Sequence, residues 1–499
     1  MKSSNVSTKP AGTSTLDATV ELSPTPLLNA FENFRGAFID LDQNIRMSAD
    51  RLKELKAIVR RQMTQAGLGD GDRLLAALPN GPLFAAVWAA SLEVGASPIL
   101  VHGETPWPEL ERMAKRWSAA FVVAEANVED GSGTHPIEVL TAGEHLRLRW
   151  QRAGKRDSSN HPVRLSSVPL HPTSGTSGEP KLAARPGPCA VAEPQHYIET
   201  LSIDQSDTIL CAIPMSHAYA YGMCFMVALL TSADLVFMRQ FNPTLVHQAL
   251  RGMAISVFPA VPMMLDWLLA TGPASLFSRP RVVLSAGAPL TRKTFEAFQN
   301  RHGISIRPLY GTTETGGISI DIAGDEFDGG VGPAMRGVEL DLDISRDPAL
   351  DPDVGILRVR SSSMMAGYVE DGGITRSAIT GGWFETGDLA KIDAGGRVHL
   401  QGRHSEVINV FGFKVIPREV EEVIGLLPDV LDVKVYASHA LGPDTVEAAV
   451  VRRGSLAEEQ IFRHCEKHLV SYKCPTAIRF VDSLPRTRSG KVAVEKLSK

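Results

Sequence analysis

The chain has 499 residues, too long for one ordinary domain of ~100–200 residues, so two or more are expected. Hydrophobic residues make up 43% and charged residues 21%, the usage of a soluble globular protein, and a net charge of -5 leaves no basic footprint for nucleic acid. Five scattered cysteines form no Cys-x-x-Cys pair and no zinc-ligand spacing, which fits a reducing cytosol better than a disulfide framework. No apolar run reaches the ~18 residues of a membrane span, so a soluble, cytoplasmic protein is expected.

Met1–Ser23 is rich in Ser and Thr, lacks an apolar signal core and reads as a disordered tail. From Pro24 to Asp157 helices alternate with short apolar strands. Leu52, Leu55, Ile58, Val59 and Met63 recur at helical spacing within Ala49–Ala66. The stretches 73–78, 97–101 and 120–124 read as buried strands, with a helix over 83–92. The alternation resumes with strands at 208–213, 235–237, 255–258 and 281–285 and a helix over 221–230. This order implies parallel sheets covered by helices. From Gly337 to Tyr368 the pattern becomes β-rich, and beyond Gly402 short strands and helices form a compact final segment.

Chemistry-bearing motifs fall where strands are expected to end, the position at which open α/β sheets bind ligands. The first is Thr173-Ser174-Gly175-Thr176-Ser177-Gly178-Glu179-Pro180-Lys181. Its glycines allow close backbone approach, its hydroxyls and N–H groups can donate to phosphate oxygens, and Lys181 adds a compact charge. It is not the loop of P-loop NTPases, which keeps four residues between its glycines and Ser or Thr after its lysine. Taken alone it is equally compatible with a solvated surface loop. Ala286-Gly287-Ala288 closes a strand with small residues against which a flat ring could lie, although for this motif alone a tight strand–helix turn is the preferred reading. In Tyr310-Gly311-Thr312-Thr313-Glu314 a ring face, a hydroxyl and a carboxylate follow an apolar strand. Such a carboxylate suits Mg²⁺, which binds through one or two carboxylates plus substrate phosphates. Asp388 follows Thr386-Gly387 and can accept two hydrogen bonds, as adjacent ribose hydroxyls require. Gly402-Arg403, Gly412-Phe413-Lys414 and Ser489-Gly490-Lys491 complete the series.

Each motif is weak alone; their shared order resembles the adenylate-forming superfamily of acyl- and aryl-CoA synthetases, nonribosomal adenylation domains and luciferases. The resemblance runs from about Pro24 to Lys499. It implies an α/β fold: a large N-terminal domain of two α/β lobes plus a β-barrel-like lobe, over residues 24–401, and a small mobile α+β C-terminal domain over 402–499. It implies that Thr173 to Lys181 grip ATP phosphates, that Ala286, Gly287 and Ala288 wall the adenine, and that Tyr310 stacks on it beside Gly311 and Thr312. Thr313 would hold the α-phosphate, Glu314 the Mg²⁺, and Asp388 the ribose, with Arg403 close by. Lys491 would bridge the substrate carboxylate and α-phosphate. His217 would line the acid pocket and gate the thiol tunnel.

The implied activity is ATP-dependent ligation of an aryl or short-to-medium acyl carboxylic acid to coenzyme A, with the phosphopantetheine arm of an acyl carrier protein as the alternative acceptor. Ser405 stands at the family's hinge, where Asp or Lys is more usual, and Leu182 where glycine is usual. The first acid after His217 is Asp234, too distant to pair with the ammonium of an α-amino acid. Tyr219, Tyr221, Met223, Val261 and Ser285 would line an apolar pocket, with ordinary helix packing an equal explanation for the two tyrosines.

Overall fold

The computed structural model describes residues 22–125, 136–141, 144–152, 165–173, 180–272, 280–345, 350–370, 373–410, 413–438, 444–486 and 492–497. Ser48 caps Ala49–Gln65 by accepting from the Arg51 N–H at 3.3 Å, and the helix buries Leu52, Leu55, Val59 and Met63 along one stripe. The neighbouring helix Pro82–Glu93 is buried on every face, as its nearly uninterrupted apolar sequence dictates.

Among the described residues, two large sheets and a smaller one make up the N-terminal part. The first runs Gly316–Ile320, Ile306–Thr312, Val282–Ser285, Val257–Ala260, Thr208–Cys211, Asp234–Phe237, Ala37–Asp40, Ile45–Ser48. Its inner strands are parallel, while both edges are antiparallel: Ile45–Ser48 pairs with Ala37–Asp40, and Gly316–Ile320 folds back on Ile306–Thr312. The second sheet has Arg73–Leu78 between Ser97–His102 and Phe121–Glu125, all parallel. It continues through Leu170–Thr173 to Lys181–Ala184, an antiparallel hairpin whose last pair is Thr173 with Lys181. Gly367–Glu370, expected to belong with the later β-rich region, instead pairs with Lys181–Ala184. The third sheet gathers Val338–Asp343, Gly355–Ser361, Trp383–Ile392 and Val398–Arg403.

Three expected elements differ in extent. The strand beginning at Thr208 stops at Cys211. Beyond it the Asn80 amide donates to Ile213 O at 2.9 Å and accepts from Met215 N at 2.6 Å, drawing the chain off the sheet. The strand near Ile255 runs from Val257 to Ala260 and carries Pro259 inside it. The helix at Tyr221 opens as a wide π-type turn over Tyr221–Met226 before tightening into Val227–Thr231. Turns of this kind gather at functional sites.

The C-terminal part has its own core, with Ile408, Val415, Val420, Ile424, Val435, Ile461 and Cys465 buried between Pro417–Gly425, Glu458–His468 and the strands Val430–Ser438, Thr445–Arg452 and Ala477–Phe480. It rests on the third sheet, where Ile416 is buried with Val354, Ile356 and Leu389. All five cysteines are free thiols, and Cys211, Cys224 and Cys465 are buried. Among the described residues no helix is long and apolar enough to cross a membrane.

Candidate active site

Residues from all three sheets meet at the carboxyl end of the first. Ile306–Thr312 carries Tyr310 out to its end, with a register break between Tyr310 and Gly311. Trp383–Ile392 brings Asp388 opposite Arg403 on the antiparallel strand Val398–Arg403. The Thr386-Gly387 turn expected from sequence is an irregularity inside this long strand. Thr386 Oγ donates to Leu357 O at 2.9 Å and accepts from the Asp388 N–H at 3.0 Å, fixing the carboxylate's backbone.

The Asp388 side chain is 10% exposed and its carboxylate is engaged at both oxygens. Arg403 Nε lies 2.7 Å from Oδ1, and the Tyr310 hydroxyl donates to Oδ2. Burial, then the Asp388 charge, push the Tyr310 hydroxyl well above its ordinary range, so it stays a donor. Arg403 also donates to Thr386 O at 3.2 Å. The expected ring, ribose and arginine positions thus form one contact chain.

A second chain was not visible in the sequence. Tyr368 donates to Glu314 Oε1 at 2.7 Å, while the Lys181 ammonium sits 4.9 Å from the Tyr368 ring centroid. Burial and the Glu314 charge raise the Tyr368 hydroxyl. Tyr368 was missed because its place in the second sheet depends on pairing between strands far apart in sequence. Among the described residues no group of three or more His, Cys, Asp and Glu side chains forms a metal cage. A single carboxylate, Glu314, is the donor set Mg²⁺ takes when phosphates complete its shell. The hydroxyls of Thr312 and Thr315, which flank Glu314 in the same turn, lie 3.0 Å apart.

Ala286 is tied back to the sheet by its N–H to Ala260 O at 3.2 Å, and Gly287 follows at φ +83°. A Cβ there would meet only Val261, at 3.6 Å, leaving an open backbone face suited to a flat ring. His217 stands on another element: exposed, it caps Ala218–Ala220 by accepting from the Tyr219 N–H at 3.3 Å. Tyr221 and Met223 are fully buried, and Tyr221 contacts His171, Phe225 and Trp88 at centroid distances of 4.6, 5.8 and 6.2 Å. Packing accounts for Tyr221. Ser174, Gly175, Thr176, Ser177, Gly178, Gly412 and Lys491 lie outside the described residues, while Thr173 and Lys181 pair with each other across the antiparallel hairpin.

Sequence reasoning also missed His171, Arg185 and Glu193. Arg185 and Glu193 form an ion pair at 2.8 Å with side chains 0% and 1% exposed. A lone arginine closing the apolar run Leu182-Ala183-Ala184 was the available signal. His171 is buried, and burial, then the positive charges of Arg185 and His217, lower it to about 3.

The AMP-binding enzyme family matches residues 32–369, and the AMP-binding enzyme C-terminal domain matches residues 419–491. Rice 4-coumarate–CoA ligase 1 is 27% identical over 494 residues, covering 90% of this chain and 86% of its own. Sulfoacetate–CoA ligase of Cupriavidus necator is 29% identical over 465 residues, covering 88% and 89%. The structure of o-succinylbenzoate coenzyme A synthetase from Bacillus subtilis in complex with AMP superposes with a TM-score of 0.79 at 20% identity, over 96% of this chain and 98% of that one. That likeness shows the fold, a large N-terminal domain followed by a small C-terminal one. The family match spans most of the chain, and the protein belongs to the AMP-binding enzymes.

Proposed function

We propose that this AMP-binding enzyme is an ATP-dependent ligase that forms an acyl- or aryl-adenylate and passes the acyl group to the thiol of coenzyme A. The observation that carries the reading is the paired contact chains: Tyr310–Asp388–Arg403 and Lys181–Tyr368–Glu314 meet on one strand end and its following turn. The first presents a ring and an oriented buried carboxylate, as a nucleoside requires. The second links a phosphate-compatible cation to a metal-compatible carboxylate. The CoA-ligase names of the similar proteins support the reading.

A carboxylate is a weak nucleophile, and it approaches an anionic triphosphate. In-line displacement at phosphorus therefore needs positive charge and fixed geometry. In our reading Tyr310 stacks on the purine against Ala286, Gly287 and Ala288, and Asp388 accepts from the ribose. Thr313 donates to the α-phosphate, while the loop from Thr173 to Lys181 holds the outer phosphates. Glu314 would hold Mg²⁺, which neutralises phosphate charge when bound. Lys491 neutralises charge between the acid and the α-phosphate. Pyrophosphate leaves, and the thiol then attacks the mixed anhydride with His217 beside its path. We place the domain boundary at Gly402, with the exposed Ser405, in a 3-10 turn over His404–Glu406, as the hinge.

We assign the substrate to aryl or short-to-medium acyl acids rather than free α-amino acids. Asp234 is engaged elsewhere, accepting from Ala37 N at 2.9 Å and pairing with Arg46 at 2.9 Å. ATP–pyrophosphate exchange across benzoates, cinnamates, fatty acids, sulfonated short acids and amino acids tests the reading. Exchange with one acid class, followed by AMP release and thioester formation on adding coenzyme A, is expected. Exchange with amino acids alone, or none at all, would refute it. Thioester formation on a phosphopantetheinyl carrier protein but not on coenzyme A would replace the acceptor.

A further inference from the structure

The Arg185–Glu193 pair lies beneath the Thr313–Thr315 turn. Burying two charges together does not by itself make a protein more stable than well-packed apolar side chains would. A pair this deep therefore invites a question about what else its donors hold. Arg185 Nη2 donates to Ser363 O at 3.0 Å, and Nη1 reaches Thr313 O at 3.5 Å, the outer limit of a hydrogen bond. Ser363 Oγ donates to Thr315 O at 2.6 Å, and the Met365 N–H donates to Glu314 O at 2.6 Å. The three successive carbonyls of Thr313, Glu314 and Thr315 are thus each taken by Arg185 or by the Ser361–Met365 segment, and Arg185 bridges the two. Glu193 holds the guanidinium at Nη1, with its Oε2 2.8 Å away. Its carboxyl fills the space left by two glycines: a Cβ on Gly222 would lie 2.3 Å from Glu193 Oε1, and one on Gly316 would lie 2.5 Å from its Cδ.

We propose that Arg185, held by Glu193, is a positioning residue for adenylation. It clamps the turn bearing Thr313 and Glu314 to the Ser361–Met365 segment, so that hydroxyl and carboxylate stand at fixed separation. The proposal rests on the ligase reading above. The clamp acts through backbone carbonyls and reaches no substrate atom. A planar fork can serve a carboxylate and two carbonyls together, which a lysine ammonium on a flexible stem cannot match. Misplacing a reacting group by ~1 Å costs about 10²-fold in rate.

The test compares R185K and the double variant Arg185→Met with Glu193→Leu against the wild type. Melting temperature and the kinetics of ATP–pyrophosphate exchange are read per folded molecule. The double substitution removes both charges, so no unpaired ion remains buried. The expected result is a kcat about 10- to 100-fold lower in the double variant and about tenfold lower in R185K. KM for ATP should stay within about threefold, at melting temperatures within a few degrees of the wild type. A purely structural pair would lower the melting temperature and leave kcat per folded molecule unchanged. If R185K, or a well-folded double variant, exchanges within about twofold of the wild type, the clamp is overturned. Should the double variant not fold, R185K alone decides. Failure of the wild type to exchange with any acid would instead remove the ligase reading, and the clamp with it.

Discussion

Replacing Asp388 with Asn removes the charge at the centre of the first contact chain while nearly keeping the shape. The wild-type side chain is 10% exposed, with Arg403 2.7 Å from one oxygen and Tyr310 donating to the other. Each oxygen keeps a lone pair for a ribose hydroxyl. Asparagine offers one acceptor oxygen, and its NH₂ faces either a guanidinium or a hydroxyl that is itself a donor. One charge-assisted hydrogen bond, typically about 1.5–3 kcal/mol, is lost, and the remaining one weakens. A net loss of about 2–3 kcal/mol raises KM for ATP about 30- to 150-fold, since 1.4 kcal/mol is tenfold. Pyrophosphate exchange measures KM, and 2′,3′-dideoxy-ATP completes a double-mutant cycle. If Asp388 binds the ribose, removing the hydroxyls should cost the wild type heavily and the variant little. Equal penalties in both proteins, or a KM for ATP within threefold of wild type, would refute the role. A melting curve separates this from general loosening, because the Arg403 and Tyr310 contacts are weakened too.

Lys491→Ala should slow adenylation by about 10²–10³-fold, the usual cost of deleting one transition-state charge contact; unchanged pyrophosphate release would remove the assignment. Tyr368→Phe keeps the ring under Lys181 but deletes the hydrogen bond to Glu314, so the Mg²⁺ concentration for half-maximal exchange should rise about tenfold, the cost of one bond to a charged group. An unmoved Mg²⁺ titration would disconnect Glu314 from the metal. His171, held near 3 in the folded protein against an ordinary 6.5, binds its proton in the unfolded chain first. Stability should therefore fall as pH drops from about 6.5 towards 4, by about 1.4 kcal/mol per pH unit from this group alone. Denaturant midpoints of wild type and His171→Phe should diverge over that range, and parallel pH curves would show that His171 is not the group responsible.

Local signals in the sequence revealed the elements that local physics controls. Ala49–Gln65 was legible because its apolar stripe lies within one stretch. Inner strands such as Arg73–Leu78 read correctly because burial on two faces makes them continuously apolar. The strand expected over 255–258 instead runs from Val257 to Ala260 and takes in Pro259, a residue type that argues against an interior strand, between two parallel neighbours. The exposed edge Ile45–Ser48 carries no such apolar run. The π turn at Tyr221 has the same composition as a regular helix, and nothing in residue periodicity separates the two. In the site, Tyr310, Asp388 and Arg403 were legible as motifs, and their direct contact is the structure's addition. Tyr368, Arg185 and Glu193 were not: Tyr368 reaches Glu314 and Lys181 only through the pairing of distant strands, Arg185 acts on the main-chain carbonyls of Thr313 and Ser363, and Glu193 acts through Arg185.

That difference follows from how the site is assembled. Tyr310 belongs to the first sheet, Lys181 and Tyr368 to the second, Asp388 and Arg403 to the third, so no single sheet can hold the geometry. Gly367–Glu370 is the join, since it leaves the β-rich region to pair with Lys181–Ala184 and so brings Tyr368 within reach of Glu314. Residues just before it, Ser361 to Met365, are bound to the Glu314 turn, and Arg185 follows directly on Lys181–Ala184. Strand pairing alone would leave sheet-to-sheet distances to the packing of apolar faces, which is tolerant of small shifts. Hydrogen bonds to consecutive carbonyls are not tolerant, because their energy falls steeply with angle and distance. The buried charge pair is therefore best understood as the rigid element that converts approximate lobe packing into a defined separation between Thr313, Glu314 and the hairpin bearing Lys181.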